Sequence, residues 1–336
     1  MPKRAFITGI TGMVGSHLLD FLVDQTDWEI HGMLRWRSPL DNITAHLDRI
    51  NNRDRVYLHY ADLRDTMAVR DAVQAVRPAY VFHLAAQSYP KTSFTAPLDT
   101  FDTNIQGTER LLGALRDLAP DAVIHVCASS EVFGRVPRDR LPINEECGFH
   151  PASPYAISKV GTDLIGRHYA EAYQMCVMTT RMFTHTGPRR GDVFAESTFA
   201  KQIAMIEANK LPPVVKAGNL DSLRTWADVR DAVRAYYMLV TINPTPAAYY
   251  NIGGEHTCSV RCMLETLIHK SRCKNIRVEV DPNRMRPIDA DLQVPDTTKF
   301  RLHTGWKPEI PFERTMQDLL DYWRTRLQRG ETFLSR

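Results

Sequence analysis

The chain has 336 residues, 43% of them hydrophobic and 24% charged, with 42 Lys and Arg against 39 Asp and Glu for a formal charge of +3. That composition is ordinary for a globular protein with material for a large core, and it argues against disorder, collagen-like repetition and membrane spans. The cations are scattered, with no basic stripe of the kind that tracks a phosphate backbone, so nucleic acid is not expected as a partner.

In chain order, Ala5-Phe6-Ile7 predicts a first strand, and the glycine turn that follows leaves an apolar stretch too short for a signal peptide. A helix is predicted over 16–24, then strands at 30–34, 56–60, 80–84 and 123–127, with helices over 66–76 and 104–118 between them. Such alternation predicts an α/β fold whose parallel sheet is wound by helices on both faces. Continuous runs such as Ala122-Val123-Ile124-His125-Val126 suit strands buried on both sides. Pro154 opens a long helix over 155–173, and a strand is expected at 178–183. Beyond Gly187 the pattern loosens into a loop at 188–191, a helix over 198–209 and a Pro/Gly-punctuated stretch at 211–223. A helix over 228–240, a strand at 249–252, and helices over 260–271 and 312–329 complete the chain. The expected division is a nucleotide-binding lobe of 1–180 rejoined by about 230–260, and a smaller discontinuous lobe of about 181–229 and 261–336. The cysteines Cys127, Cys147, Cys176, Cys258, Cys262 and Cys273 lack metal-ligand spacing. They point to reduced thiols in a cytoplasm, with no metal expected.

Gly9, Gly12 and Gly15 follow the first strand and precede a helix. Such a turn lets a phosphate approach the backbone, while the helix N-terminus supplies N–H groups and partial positive charge. The second strand ends in Leu34-Arg35-Trp36-Arg37 without a carboxylate for ribose hydroxyls, so Arg35 or Arg37 beside a 2′-phosphate favours NADP over NAD. Asp62 and Leu63, after the third strand, are placed to meet the adenine. Tyr155 and Lys159 stand four apart on one helix face, where an ammonium is expected to lower the phenol pKa and make Tyr155 a general base. Ser129 lies at the carboxyl edge of the sheet, able to share a substrate oxygen with the tyrosine.

The segments TGITGMVGSHL, LHYADLRD, FHLAAQS, SSEVFG, SPYAISK, PRRGDVF, GNLDSLRTWADVRD, RMRP and TGWKPEI resemble the extended short-chain dehydrogenase/reductase superfamily, and within it the GDP-mannose 4,6-dehydratase branch, over nearly the whole chain. The resemblance implies a Rossmann-type lobe binding NADP and a C-terminal lobe binding a nucleotide sugar, with GDP-mannose as substrate. It implies Ser129, Glu131, Tyr155 and Lys159 as catalytic residues, Glu131 being the acid/base of dehydration. Implied cofactor contacts are Gly9, Gly12, Gly15, Arg35, Asp62, Leu63, Leu84, Ala85, Tyr155, Lys159, His185 and Arg190. Lys201, Arg224 and Arg286 are candidates for the substrate diphosphate, as is Arg190, and Thr184 stands where an asparagine commonly precedes the histidine. Members of the family pair through helices equivalent to 104–118 and 155–173, which implies a homodimer or homotetramer. The closing stretch, RMRPID to TGWKPEIPFERTMQDLLDYW, is also similar to GDP-4-keto-6-deoxymannose reductases, so a reductase or a related epimerase remains an alternative. A non-catalytic cofactor sensor would be expected to lack Tyr155 or Lys159, and both are present.

Overall fold

The computed structural model describes residues 2–285, 290–331 and 333. Strands β1 (Arg4–Thr8), β2 (Glu29–Leu34), β3 (Val56–Tyr60), β4 (Tyr80–His83), β5 (Val123–Cys127) and β6 (Val177–Met182) form a parallel sheet, completed at one edge by Tyr249–Ile252. From that edge the order is β6, β5, β4, β1, β2, β3, all in parallel register, so the winding direction reverses between β1 and β4. A crevice opens at such a reversal, outside the carboxyl ends of the strands.

The two-faced apolar pattern follows from side-chain alternation. Ala5 and Ile7 of β1 join a core beneath helices Met13–Gln25 and Val229–Thr241, with Leu18, Leu22 and Tyr236 fully buried. Phe6 turns the other way, into a core with Val69, Val73, Leu111 and Leu115 from helices Thr66–Val76 and Gly107–Leu118. Each such side chain stabilises the fold by about 1.5–3 kcal/mol.

The predicted helix over 104–118 is part of a longer helical run. Pro97–Phe101 leads into a π turn, Asp102–Gln106, before Gly107–Leu118. In that turn the Asn104 carbonyl accepts hydrogen bonds from the hydroxyls of Thr108 at 2.6 Å and Thr162 at 3.1 Å, tying the run to helix Pro154–Tyr173.

The second lobe contains more strand than the sequence suggests. The stretch at 211–223 holds Val214–Ala217, paired in parallel with Arg277–Val280. The strand Leu223–Asp228 pairs with His185–Thr186, His256–Ser259 and Leu292–Gln293. Helices Ala195–Glu207, Val260–His269 and Phe312–Gln328 pack around Phe199, Trp226, Met263, Leu320 and Trp323. Short helices Pro90–Thr95 and Thr298–Thr304 were too brief to show a period. Among the described residues no helix is long and apolar enough to cross a membrane.

Four imidazoles lie within the sheet, His31, His59, His83 and His125, and the last two are the most deeply buried. His83 meets the Thr8 hydroxyl at 2.9 Å and that of Thr108 at 3.0 Å, and His125 meets the Thr180 hydroxyl at 2.8 Å. Burial, then nearby positive charge, pushes both pKa values down to about 3. The unfolded chain, with histidines near pKa 6.5, therefore takes up protons that the folded chain refuses. Their contribution to stability is complete above about pH 6.5 and is lost as pH falls toward the folded values, at about 1.4 kcal/mol per pH unit for each imidazole. Urea midpoints are expected to fall from pH 7.5 to pH 5, and less steeply in His125→Asn; equal slopes would show that His125 is protonated within the fold.

Candidate active site

The site grows from three sheet ends. After β1, the turn Gly9–Gly12 feeds helix Met13–Gln25, whose N-cap is Gly12 and whose first turn carries no acidic residue. Gly9 has φ +74°, and a Cβ there would lie 2.9 Å from the Ala85 Cα; at Gly15 a Cβ would lie 2.3 Å from the Gly9 carbonyl oxygen. Bare backbone at the positive end of a helix suits a diphosphate, and these residues therefore fit a dinucleotide. The Thr8 hydroxyl accepts hydrogen bonds from the backbone N–H groups of Leu84 and Ala85 at 3.1 and 3.0 Å, holding the turn after β4 beside the glycines. At the ends of β2 and β3, Arg35 and Asp62 line the same cavity. The Arg64 guanidinium, hydrogen-bonded to Asp62 at 3.0 Å, holds its carboxyl below the usual range, with smaller help from the Arg35 charge.

After β5, the Ser129 side chain accepts from the Glu131 N–H at 3.2 Å and caps the short turn Ser130–Phe133, which brings Glu131 to the cavity. Helix Pro154–Tyr173 starts under a second serine cap, Ser153 accepting from the Ala156 N–H at 3.0 Å with Pro154 at the first turn. That start presents Tyr155 and Lys159 side by side, both buried. The Ser129 hydroxyl and the Tyr155 phenol line the same cavity.

The expected lowering of the Tyr155 pKa is not found. Burial raises it well above the ordinary tyrosine value; the Ser129 hydrogen bond opposes this, and the nearby Cys127 and Glu131 charges reinforce it. The Lys159 ammonium donates to the Cys127 carbonyl at 2.7 Å, and burial lowers its own pKa. Helical spacing fixes proximity, but desolvation sets the direction of the shift.

After β6, Thr184 lines the cavity and accepts from the Ala227 N–H at 3.0 Å through its carbonyl. His185 donates from Nδ1 to the Phe183 carbonyl at 3.1 Å; burial, then the Arg190 charge, pushes its pKa down to about 4, so the ring is neutral near neutrality and Nε2 is an acceptor. Arg190 donates from Nε to Glu196 at 2.8 Å. From the second lobe, an Arg224 Nη lies 3.7 Å from a Glu131 carboxylate oxygen.

The cavity has a volume of about 1200 Å³, beyond the roughly 300–1000 Å³ typical of a single small ligand. It is lined by Gly9, Gly12, Gly15, Arg35, Asp62, Leu63, Leu84, Ala85, Ser129, Glu131, Tyr155, Lys159, Thr184, His185, Arg190 and Arg224, all singled out from the sequence. Lys201, expected at the substrate diphosphate, stands one residue behind the lining. It does not line the cavity; its side chain is buried and its ammonium bonds Asp192 at 2.9 Å, because a buried cation requires a counterion. Arg286 lies outside the described residues.

Two contributors, Asn104 and Glu196, carried no sequence signal, and a third, Phe194, closes the PRRGDVF segment. Asn104, 2% exposed, binds the Gln87 backbone on both sides and the Ser158 hydroxyl at 2.9 Å, joining the loop after β4 to the Tyr155 helix. Phe194 and Glu196 line the cavity beside Arg190. The π turn that places Asn104 has no distinctive residue pattern, and Glu196 follows no motif quoted from the sequence.

A seven-stranded parallel sheet with a glycine turn, a Ser–Tyr–Lys group and a second lobe closing over its carboxyl edge defines an extended short-chain dehydrogenase/reductase. Within that class the chain belongs to the GDP-mannose 4,6-dehydratase family, whose family model, described as GDP-mannose 4,6 dehydratase, matches residues 6–319. It is 32% identical to a GDP-mannose 4,6 dehydratase of Drosophila melanogaster, over 95% of this chain and 85% of that protein. It is 30% identical to a GDP-mannose 4,6-dehydratase of Yersinia enterocolitica, over 95% of this chain and 93% of that protein. The solved structure of RMD from Pseudomonas aeruginosa complexed with NADPH superposes with a TM-score of 0.82 at 28% identity, covering 96% of this chain and 99% of that one.

The glycine contacts make a direct test possible. Gly15→Ala places a methyl against the Gly9 carbonyl and must open the turn. NADP affinity by calorimetry is expected to fall by about tenfold or more. Wild-type affinity in this variant would show that the ligand does not use the turn.

Proposed function

We propose that this chain is a GDP-mannose 4,6-dehydratase, converting GDP-mannose to GDP-4-keto-6-deoxymannose and water. The observation that carries the reading is that Glu131 lines one cavity together with Ser129, Tyr155 and Lys159. When bound, the nicotinamide supplies the acceptor for the hydrogen of C4 and the donor that returns it to C6. Tyr155 takes the proton of the C4 hydroxyl as the phenolate, the form that the Ser129 hydroxyl and the Arg190 charge favour against burial, with Ser129 hydrogen-bonded to the same oxygen. The resulting ketone acidifies C5–H, which Glu131 removes as base. Glu131 then gives that proton to the C6 hydroxyl, which leaves as water. The proton first taken from O4 balances the one that C5 regains. One carboxyl group suits both tasks because it exchanges protons readily and stands next to the phenol.

The binding roles follow the same reading. NADP is preferred over NAD because Arg35, at the end of β2, offers a guanidinium to a 2′-phosphate. Gly9, Gly12, Gly15, Leu84 and Ala85 hold the dinucleotide, together with Asp62, Leu63, Lys159 and His185. Thr184, Arg224 and Arg286 are assigned to the nucleotide sugar. Residues 1–180 with about 230–260 form the dinucleotide lobe, and 181–229 with 261–336 the sugar-nucleotide lobe. The enzyme works in the cytoplasm as a homodimer or homotetramer. Supporting the assembly, Ile157 and Leu164 are 46% and 44% exposed seven residues apart on helix Pro154–Tyr173.

The experiment is incubation of the protein with GDP-mannose and a catalytic amount of NADP, with products read by mass spectrometry. A 4-keto-6-deoxy product without net NADPH change is expected. Turnover only after ketosugar and NADPH are supplied would establish the reductase alternative, which the closing stretch of sequence resembles as much as it does a dehydratase. Glu131→Gln is expected to lower dehydration by about 10²–10⁴ while leaving NADP affinity unchanged, and Tyr155→Phe to stop oxidation at C4. A Glu131→Gln enzyme that kept most of its rate would remove the carboxyl from the mechanism.

A further inference from the structure

The segment between strand His185–Thr186 and helix Ala195–Glu207 carries three charged residues in close succession, each with its own counterion. Arg189, at φ +67°, pairs with Asp20 of helix Met13–Gln25 at 2.7 Å. Arg190 pairs with Glu196 at 2.8 Å, and Asp192 with Lys201 at 2.9 Å. The backbone is pinned as well: the Ser197 hydroxyl donates to the Arg190 carbonyl at 2.7 Å and accepts from the Trp323 indole N–H at 3.0 Å. Pairs on either side of Arg190 therefore anchor its segment to both lobes.

Arg190 itself is held on two sides. Its Nε–H donates to a carboxylate that is 4% exposed, and its guanidinium carbon lies 3.4 Å from the centroid of the Phe194 ring. Phe194 in turn meets Tyr89 edge-on at 5.9 Å, across the cavity that all three residues line. Among the described residues, the terminal Nη groups of Arg190 have no acceptor. A guanidinium has five N–H donors in a rigid plane, so fixing Nε and stacking the plane fixes where the remaining donors point.

We infer that Glu196, with Phe194 behind the guanidinium, is a positioning residue that aims the Nη edge of Arg190 at a diphosphate oxygen bound in the cavity. The inference rests on reading the cavity as a site for a dinucleotide and a nucleoside diphosphate sugar. Both ligands carry a diphosphate, so the shared chemistry is an anionic oxygen accepting from a planar donor pair.

Glu196 exerts two influences of opposite sign. Its negative charge repels an incoming anion, so simple neutralisation predicts that removing it tightens binding. Its hydrogen bond orients Arg190, so positioning predicts that removing it weakens binding.

The experiment measures NADP and GDP affinities separately by calorimetry, on wild type and on variants whose folding is checked by thermal melting. Wild-type binding of neither ligand would overturn the reading of the cavity itself. With wild-type binding in place, Glu196→Ala is expected to weaken one ligand by about tenfold, the ligand affected identifying which diphosphate Arg190 meets. Glu196→Gln keeps an acceptor for Nε–H without the charge, and is expected to bind within about twofold of wild type or more tightly. Glu196→Asp keeps the charge but draws the carboxylate back by one methylene, and a loss of about threefold or more is expected from a misaimed guanidinium; it also serves if the alanine variant does not fold. In an Arg190→Gln background, Glu196→Ala is expected to change affinity by less than about twofold, since its effect runs through Arg190. Unchanged or tighter binding by Glu196→Ala, wild-type affinity in Glu196→Asp, or additive effects in the double variant would each overturn the inference.

Discussion

Desolvation of the Tyr155–Lys159 pair is the constraint to which the rest of the cavity answers. Burial drives both groups toward their neutral forms, holding the proton on the phenol and loosening one from the ammonium. A phenol in such a place exchanges its proton only with a partner brought close enough to bond it, which protects the site from idle proton traffic with solvent. The Ser129 hydrogen bond works against the burial, as does the positive charge of Arg190. Lys159, turned to the Cys127 carbonyl, fixes the helix against β5 while remaining near the phenol. The anchoring of Arg190 therefore bears on two functions at once, as donor to an anion and as a charge acting on Tyr155.

The two lobes contribute different kinds of order. The sheet lobe delivers backbone: bare glycines, a helix N-terminus, and N–H groups of Leu84 and Ala85 held by one threonine hydroxyl. The second lobe delivers side chains, with Arg224 brought to Glu131 on the strand Leu223–Asp228. Dehydration chemistry assigned to Glu131 thus depends on how the lobes meet, and dinucleotide binding, assigned to His185 as well as to the glycine turn, draws on both. Asp20, on the first helix, pairs with Arg189 on the segment after β6 and shows how an ion pair holds that meeting in place.

Much of this was legible in the sequence where burial is two-sided. Strand β5 and helix Thr66–Val76 fall where the apolar run and the Asp65 cap place them, β5 with its three central residues buried; β3, an edge strand with only Val56 buried, was found from its β-branched and aromatic residues. Leu223–Asp228 was hidden because its sequence, LRTWAD, mixes a cavity arginine and a buried aspartate with core residues. The site residues on motif positions converge on one cavity, with Lys201 the exception: a buried lysine bound to an aspartate has the same sequence signature as one in solvent. The sign of the Tyr155 shift was misread for a related reason. An i, i+4 spacing reports distance, but the dielectric around a pair depends on the whole fold.

The edge strand Tyr249–Ile252 has a consequence for synthesis. It is made more than sixty residues after β6, yet it covers the hydrogen-bonding edge of that strand, every residue of which is buried in the finished protein. While the intervening chain emerges from the ribosome, β6 presents an unpaired hydrogen-bonding edge, the kind of surface that recruits other nascent chains. Chaperone demand during translation is thereby concentrated in one interval, which closes when the late strand docks.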